Sequence, residues 1–321
     1  MSNPGAPSGG ILGQVRVELR LIWRGFVLPI CLVICALLAV GNVANTANSV
    51  RADYGLVQHT RAEYAANGMD FAADLKKPAK VTTSGDEQSV TNLARYDYDT
   101  MASAIIAISP ASSATESMKY FGFLLYPLVF FLIGLWLATG QRRYRLEKVA
   151  LVRNGTAATV AARQLTLLVI AAIVTAAILL VDVVARAIAT AVLASQLPFG
   201  AFSPLSPEPA QNPFAQWGVI VLVVLFFGGA GVAVGTFAGV FAIPAIAFLI
   251  WDYVVPFLGA HDPRNWFDVL GHSVFSYAST FELSPAIPLA VPIALAASVV
   301  GAVVLLGLGY LGIRIRNPLA T

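Results

Sequence analysis

The chain has 321 residues, 58% of them hydrophobic and 12% charged, with a net charge of +3 and a mean hydropathy of +0.76. Soluble domains carry about 25% charged residues, so this composition excludes a water-facing globule of such length. It also excludes disorder, and the 26 glycines show no collagen-like period. What is left is an integral membrane protein, expected to be all-α and polytopic. The small net charge, with no long basic run, gives no reason to expect a nucleic-acid partner.

Residues 1–10 are rich in Gly, Pro, Ser and Asn and read as a disordered N-terminus. Over residues 11–24, Ile11, Val15, Leu19, Ile22 and Trp23 share one helical face while Arg16, Arg20 and Arg24 line another. That pattern predicts an amphipathic helix lying along a lipid membrane, anchored at the interface by Arg16, Arg20, Trp23 and Arg24. A hydrocarbon core about 30 Å thick needs roughly 20 apolar residues in a helix, and residues 25–44 supply the first span. Cys31 and Cys35 lie one turn apart inside it and read as small apolar helix residues, with no disulfide or metal role.

Residues 45–118 hold most of the acidic side chains and are expected to form a mainly helical extracellular insertion. Lys76-Lys77-Pro78 and residues 82–86 read as loops, and residues 89–108 as a helix ended by Pro110. Spans two and three are expected at 119–139 and 165–193, joined by a cytoplasmic loop at 140–164. A proline-rich extracellular loop follows at 194–215. From Pro209 to Trp251 the chain carries no Asp, Glu, Lys, Arg or His, and one helix of that length would reach about 65 Å, twice the bilayer. It is therefore expected to fold back near Gly235–Gly239, giving spans four (216–234) and five (239–258). An extracellular or re-entrant segment at 259–285, span six at 286–313 and a cytoplasmic tail at 314–321 complete a six-span reading. In the re-entrant segment Asp262-Pro263 starts a short helix, Gly271 stops it, and Trp266, Phe267 and Leu270 face the membrane.

Orientation follows from charge. With the N-terminus inside, eleven of the 20 basic residues fall on the inner side against only Glu18 and Glu147 of the 17 acidic ones. Both termini are thus expected in the cytoplasm of a cell-membrane protein. A secretory signal cleaved near Ala44–Ala47 is the competing reading, disfavoured by its long amphipathic leader.

The inner loop is the most informative segment. It carries Arg142, Arg143, Arg145, Glu147, Lys148 and Arg153, then Asn154-Gly155, which breaks a basic helix before Thr156 caps a second one at 157–164. A helix–break–helix on the cytoplasmic side suits a lever for a soluble partner. Within the spans Asp182 and Arg186, at i and i+4, are a candidate pathway or gate pair near the outer boundary, where mutual neutralisation is the favoured explanation. Asp252 also reads as an outer-boundary residue. His261, Asp262, Asp268 and His272 invite a metal reading, with Asp268 and His272 one turn apart, but they form no His-Glu-x-x-His motif and His261 precedes the helix, so they read as surface or interface polarity. Pro127, Pro244 and Pro256 allow kinks, and Gly228, Gly231, Gly235, Gly301, Gly307 and Gly312 suit close helix packing. No catalytic set is visible.

In its topology, and in Glu147, Ala150-Leu151-Val152-Arg153-Asn154 and Arg163, the chain resembles the permease subunits of ABC exporters of the second type, the ABC-2 membrane family. The resemblance is specific over about 25 residues, and the proline usual in the family's loop is missing here. It implies an elbow helix before span one, a coupling helix in the loop between spans two and three, and a separate ABC ATPase subunit that would hold ATP and Mg. No Gly-x-x-x-x-Gly-Lys-[Ser/Thr] loop occurs in this chain, so it cannot hydrolyse ATP by that route, and no cofactor is expected on it. It further implies a pathway lined by spans one, two and five; six spans in one copy are too few to enclose it, so a second permease protomer, identical or homologous, is expected, and the Phe, Leu, Val and Ala of the spans favour export of an apolar or amphipathic cargo. The alternative is a membrane sensor or assembly protein whose extracellular domain binds a ligand or partner.

Overall fold

A computed structural model describes residues 10–84, 87–143, 146–203, 205, 212–256, 258–276 and 286–316, with the side chains of 81–84, 87–88, 141–143 and 146 left aside. The described chain is almost entirely helical. Among the described residues five helices are long and apolar enough to cross a membrane. The N-terminal ten residues, except Gly10, lie outside the description, as do part of the proline-rich loop, the last third of 259–285 and most of the tail.

The first helix, α1 (Ile11–Arg24), ends at Gly25, and Phe26 adopts a left-handed conformation before α2 (Val27–Ala66). Arg16, Arg20, Trp23 and Arg24 are exposed, as an interfacial helix requires. The side that packs on the protein differs from the expected apolar face: it consists of Gln14, Val15, Glu18 and Ile22, while Ile11 and Trp23 point away.

Forty residues make α2 about 60 Å long, so it continues unbroken well past the expected end at 44. Its second half is the scaffold of the insertion. Val43, Ala47, Val50 and Val57 recur at helical spacing and bury against Met101, Ala104 and Ile108 of α4 (Leu93–Ile108). Between them lie a four-residue helix, α3 (Phe71–Asp74), and two strands, β1 (Val81–Ser84) and β2 (Glu87–Val90), paired antiparallel with Val81 opposite Val90. This hairpin corrects the loop reading of 82–86 and the helix start at Ser89. The β-branched run Val81-Thr82-Thr83 favours an extended chain, and Asn92 caps α4 by accepting from the Arg95 amide.

After a 3-10 turn at Pro110–Ser112, α5 (Ser113–Tyr120), a π-helical turn (Phe121–Leu125) and α6 (Tyr126–Arg143) form one continuous rod. The π turn lies just before Pro127, where the missing proline N–H breaks the regular ladder. Within that turn the Leu124 carbonyl accepts from the Tyr253 hydroxyl at 2.6 Å. Then α7 (Leu146–Ala194) runs to the far end with one interruption at Gly155.

The core is the pair α6 and α8 (Pro213–Ala238). Their backbones touch: a Cβ at Gly134 would strike the Gly228 carbonyl oxygen, and one at Gly231 would strike that of Phe131. Gly235 and Gly312 are similarly crowded, by Ala138 and by Thr236, whereas Gly307 has open space around it. Phe131 and Phe248 stack at 3.9 Å between centroids, and Tyr126 shares a 2.7 Å hydroxyl contact with Thr175 of α7.

The turn expected at 235–239 falls later. Gly235 is inside α8, which ends at Gly239 in the left-handed conformation (φ 72°) that glycine tolerates best. The next helix, α9 (Ala242–Tyr253), has twelve residues instead of the expected twenty, about 18 Å of rise. It alone falls short of a bilayer core. Next, α10 (Pro263–Val274) starts as expected on the Asp262 cap, whose carboxylate accepts from the Arg264 amide at 2.9 Å. It runs through Gly271 and turns Phe267 and Leu270 into the bundle rather than toward lipid. The Asn265 side chain holds residue 287 by both its carbonyl and its amide, placing α11 (Val291–Arg316).

Candidate functional site

The end of the bundle holding Gly155 gathers most of the expected loop. Gly155 has φ 76° and ψ 168°, a region open in practice only to glycine, and there the direction of α7 changes. The hydroxyl that serves the break is that of Thr159, donating to the Gly155 carbonyl at 2.8 Å; Thr156 is buried beside it. The break splits α7 into a short helix at 146–154 and a long one at 156–194.

The short helix is held from below by its buried residues, Glu147, Ala150 and Leu151. Glu147 approaches Arg163 of the long helix at 3.4 Å, both side chains being excluded from solvent. Removing either member of such a buried pair strands a charge and costs about 3–5 kcal/mol. The opposite face is open: Val149 is 63% and Val152 85% exposed, flanked by exposed Lys148 and Arg153. Arg142 and Arg143 close α6 with their side chains outside the description, and Arg145 lies outside it altogether.

Three polar residues that sequence reasoning assigned no site role, two on α1 and one on the long helix, brace this break. Gln14 donates to Glu18 at 3.0 Å, and Thr166 of the long helix donates to the other Glu18 oxygen at 2.7 Å. Asn154, at the break itself, donates to the Gln14 carbonyl oxygen at 3.3 Å. The signal was present in the sequence: Gln14 and Glu18, at i and i+4, share the face of Val15 and Ile22. Two polar groups on a packed face need partners across the interface.

Asp182 and Arg186 lie elsewhere. They are fully buried and paired at 2.6 Å, 27 residues or about 40 Å beyond Gly155 along α7. Arg186 also donates to the Ala107 carbonyl, and Thr190 donates to that of Ile108 at 3.0 Å. These are the last carbonyls of α4, where a helix end carries partial negative charge. The arrangement is that of an anchor for the insertion.

Of the four residues of the polar surface reading, Asp262 and Asp268 are buried, and His261 and His272 are exposed. Among the described residues no group of three or more His, Cys, Asp or Glu side chains converges as a metal site would require. No family model, curated protein or solved structure matches the chain.

Proposed function

We propose that this chain is the membrane subunit of an ATP-driven exporter of the ABC-2 type, with both termini in the cytoplasm and the short helix before Gly155 as its coupling element. The observation that carries the reading is the exposed face of Val149 and Val152 between Lys148 and Arg153, on a helix braced from behind. Two β-branched apolar side chains amid cationic ones suit a protein groove better than either water or lipid tails. Pressure on that helix would pass through Glu147–Arg163 and Asn154–Gln14 to the long helix and to α1 together.

On this reading α9, with the chain up to Asp262, stands for the fifth crossing, and six crossings are too few to enclose an alternating pathway. A second protomer, identical or homologous, would complete it, with two ATPase subunits carrying ATP and Mg. The cargo would be apolar or amphipathic. The test is co-purification in mild detergent followed by an ATPase assay. An ATPase carrying a phosphate-binding loop should accompany the wild-type chain, and Val152→Glu should abolish its stimulation while the permease still inserts and stays monodisperse. Equal stimulation by wild type and Val152→Glu would overturn the proposal, as would the consistent lack of any ATPase in the purified material.

A further inference from the structure

Away from the break, α9 and α10 border a small, partly open cavity against the π turn, α6 and α8, with an unusual charge balance. Arg264 is spent locally. Its guanidinium grips both oxygens of Asp262 at 3.1 and 2.7 Å, and donates to the carbonyls of Trp251 at 2.6 Å, Val255 at 2.7 Å and Pro256 at 3.1 Å. It also stacks 4.6 Å over the Trp251 ring. One cation is thus matched to one carboxylate and to the last carbonyls of α9. Two further carboxylates, Asp252 and Asp268, line the cavity, and neither accepts a hydrogen bond from any described residue. Asp268 is only 8% exposed. Burial first, then the Asp262 carboxylate against the opposing pull of Arg264, with Asp252 adding to it, pushes Asp268 up to about 7.

Arg264 also lines the cavity, and the remaining wall is apolar, with Leu124, Pro127 and Val223 set beside aromatic rings. Phe123 beside the π turn, Phe227 of α8, Phe267 of α10 and Tyr253 of α9 surround a volume of about 180 Å³. An apolar cavity of about 150 Å³ accepts benzene, so this one accommodates a single ring with a short tail. Aromatic faces and buried carboxylates attract the same class of ligand, a cation with an apolar body.

We infer that this cavity binds a small aromatic ammonium compound, its ring among Phe123, Phe227 and Phe267 and its cationic head against Asp252 and Asp268. The site belongs to this chain alone and does not rest on coupling to an ATPase, so it is measured without one. The probe is radiolabelled 2-phenylethylammonium, dialysed to equilibrium against the full chain in lipid nanodiscs. Saturable binding of one equivalent is expected. Asp252→Asn and Asp268→Asn, each of nearly unchanged size, should weaken it at least tenfold, and Asp268→Glu should retain most of it. Neutral 2-phenylethanol should not displace the probe, nor should potassium or magnesium ions. Should Asp268→Asn fail to fold, Asp252→Asn carries the test. Absence of saturable binding, displacement by the neutral alcohol or by the inorganic cations, or wild-type affinity in a folded Asp252→Asn variant would overturn the inference.

Discussion

Thr166 offers a narrow test of how α1 is held against the helix break. Its hydroxyl has one proton and two acceptors within reach, the Glu18 carboxylate at 2.7 Å and the Ala162 carbonyl at 2.8 Å. The carboxylate is the stronger acceptor, and the Ala162 carbonyl belongs to a regular helical turn that keeps its backbone donor. Thr166→Val keeps the shape and removes only that proton donor. The expected loss is the worth of one hydrogen bond to a carboxylate in a site buried from solvent, on the order of 2 kcal/mol. That corresponds to roughly thirtyfold in the equilibrium between docked and undocked α1. Hydrogen exchange read by mass spectrometry measures it directly, since the amides of α1 exchange through this local opening. Exchange over residues 11–24 should accelerate about thirtyfold in Thr166→Val and stay near wild type in Thr166→Ser, while α8 is unaffected. Equal protection of α1 in the valine and serine variants would show that the hydroxyl contributes nothing and that apolar packing by Val15 and Ile22 alone docks the helix.

Other outcomes follow from the packing and the charges. Gly134→Ala, which would force a methyl group into the Gly228 carbonyl, should lower thermal stability by about 1–3 kcal/mol or more, whereas Gly307→Ala, with open space around it, should be silent in the same scan. Gly155→Ala should cost about 1–3 kcal/mol through its backbone geometry, and should impair ATPase stimulation in the co-purified complex even where the protein remains folded. Asp97, on α4, is held above the ordinary carboxylate range by burial, against the 2.6 Å hydrogen bond from Thr60. A raised folded value means that the folded state binds the proton more tightly, so this contribution is full below about pH 4 and declines as pH rises through the folded value. Asp97→Asn should flatten that decline in a pH series of thermal unfolding, and a variant with wild-type pH dependence would show that Asp97 does not titrate in this range.

Hydropathy made the long helices legible, because an uninterrupted apolar run has few alternatives in a chain of this composition. The break at Asn154-Gly155 and the start at Asp262-Pro263 were equally readable, each depending on local backbone chemistry that a few residues settle. What hydropathy missed was length without lipid. The second half of α2 is amphipathic rather than apolar, so Ala47, Val50 and Val57 looked like parts of a polar domain instead of the continuation, with Val43, of the seam of one long helix. The fold-back after α8 was misplaced for a related reason: Gly235 is demanded by contact with Ala138 across the helix pair, and nothing local separates such a glycine from one that ends a helix. The bracing by Gln14, Glu18 and Thr166 and the cavity beside Asp268 both depend on residues far apart in sequence, and a single chain carries no direct record of such meetings.

The proposed role requires the helix before Gly155 to face the cytoplasm. A single cysteine at Arg153, with Cys31 and Cys35 replaced by alanine, can be challenged with a membrane-impermeant maleimide in intact and in lysed cells. Labelling only after lysis is the expected result. Labelling of that cysteine in intact cells would place the helix on the outer surface, beyond the reach of any cytoplasmic ATPase, and contradict the proposal.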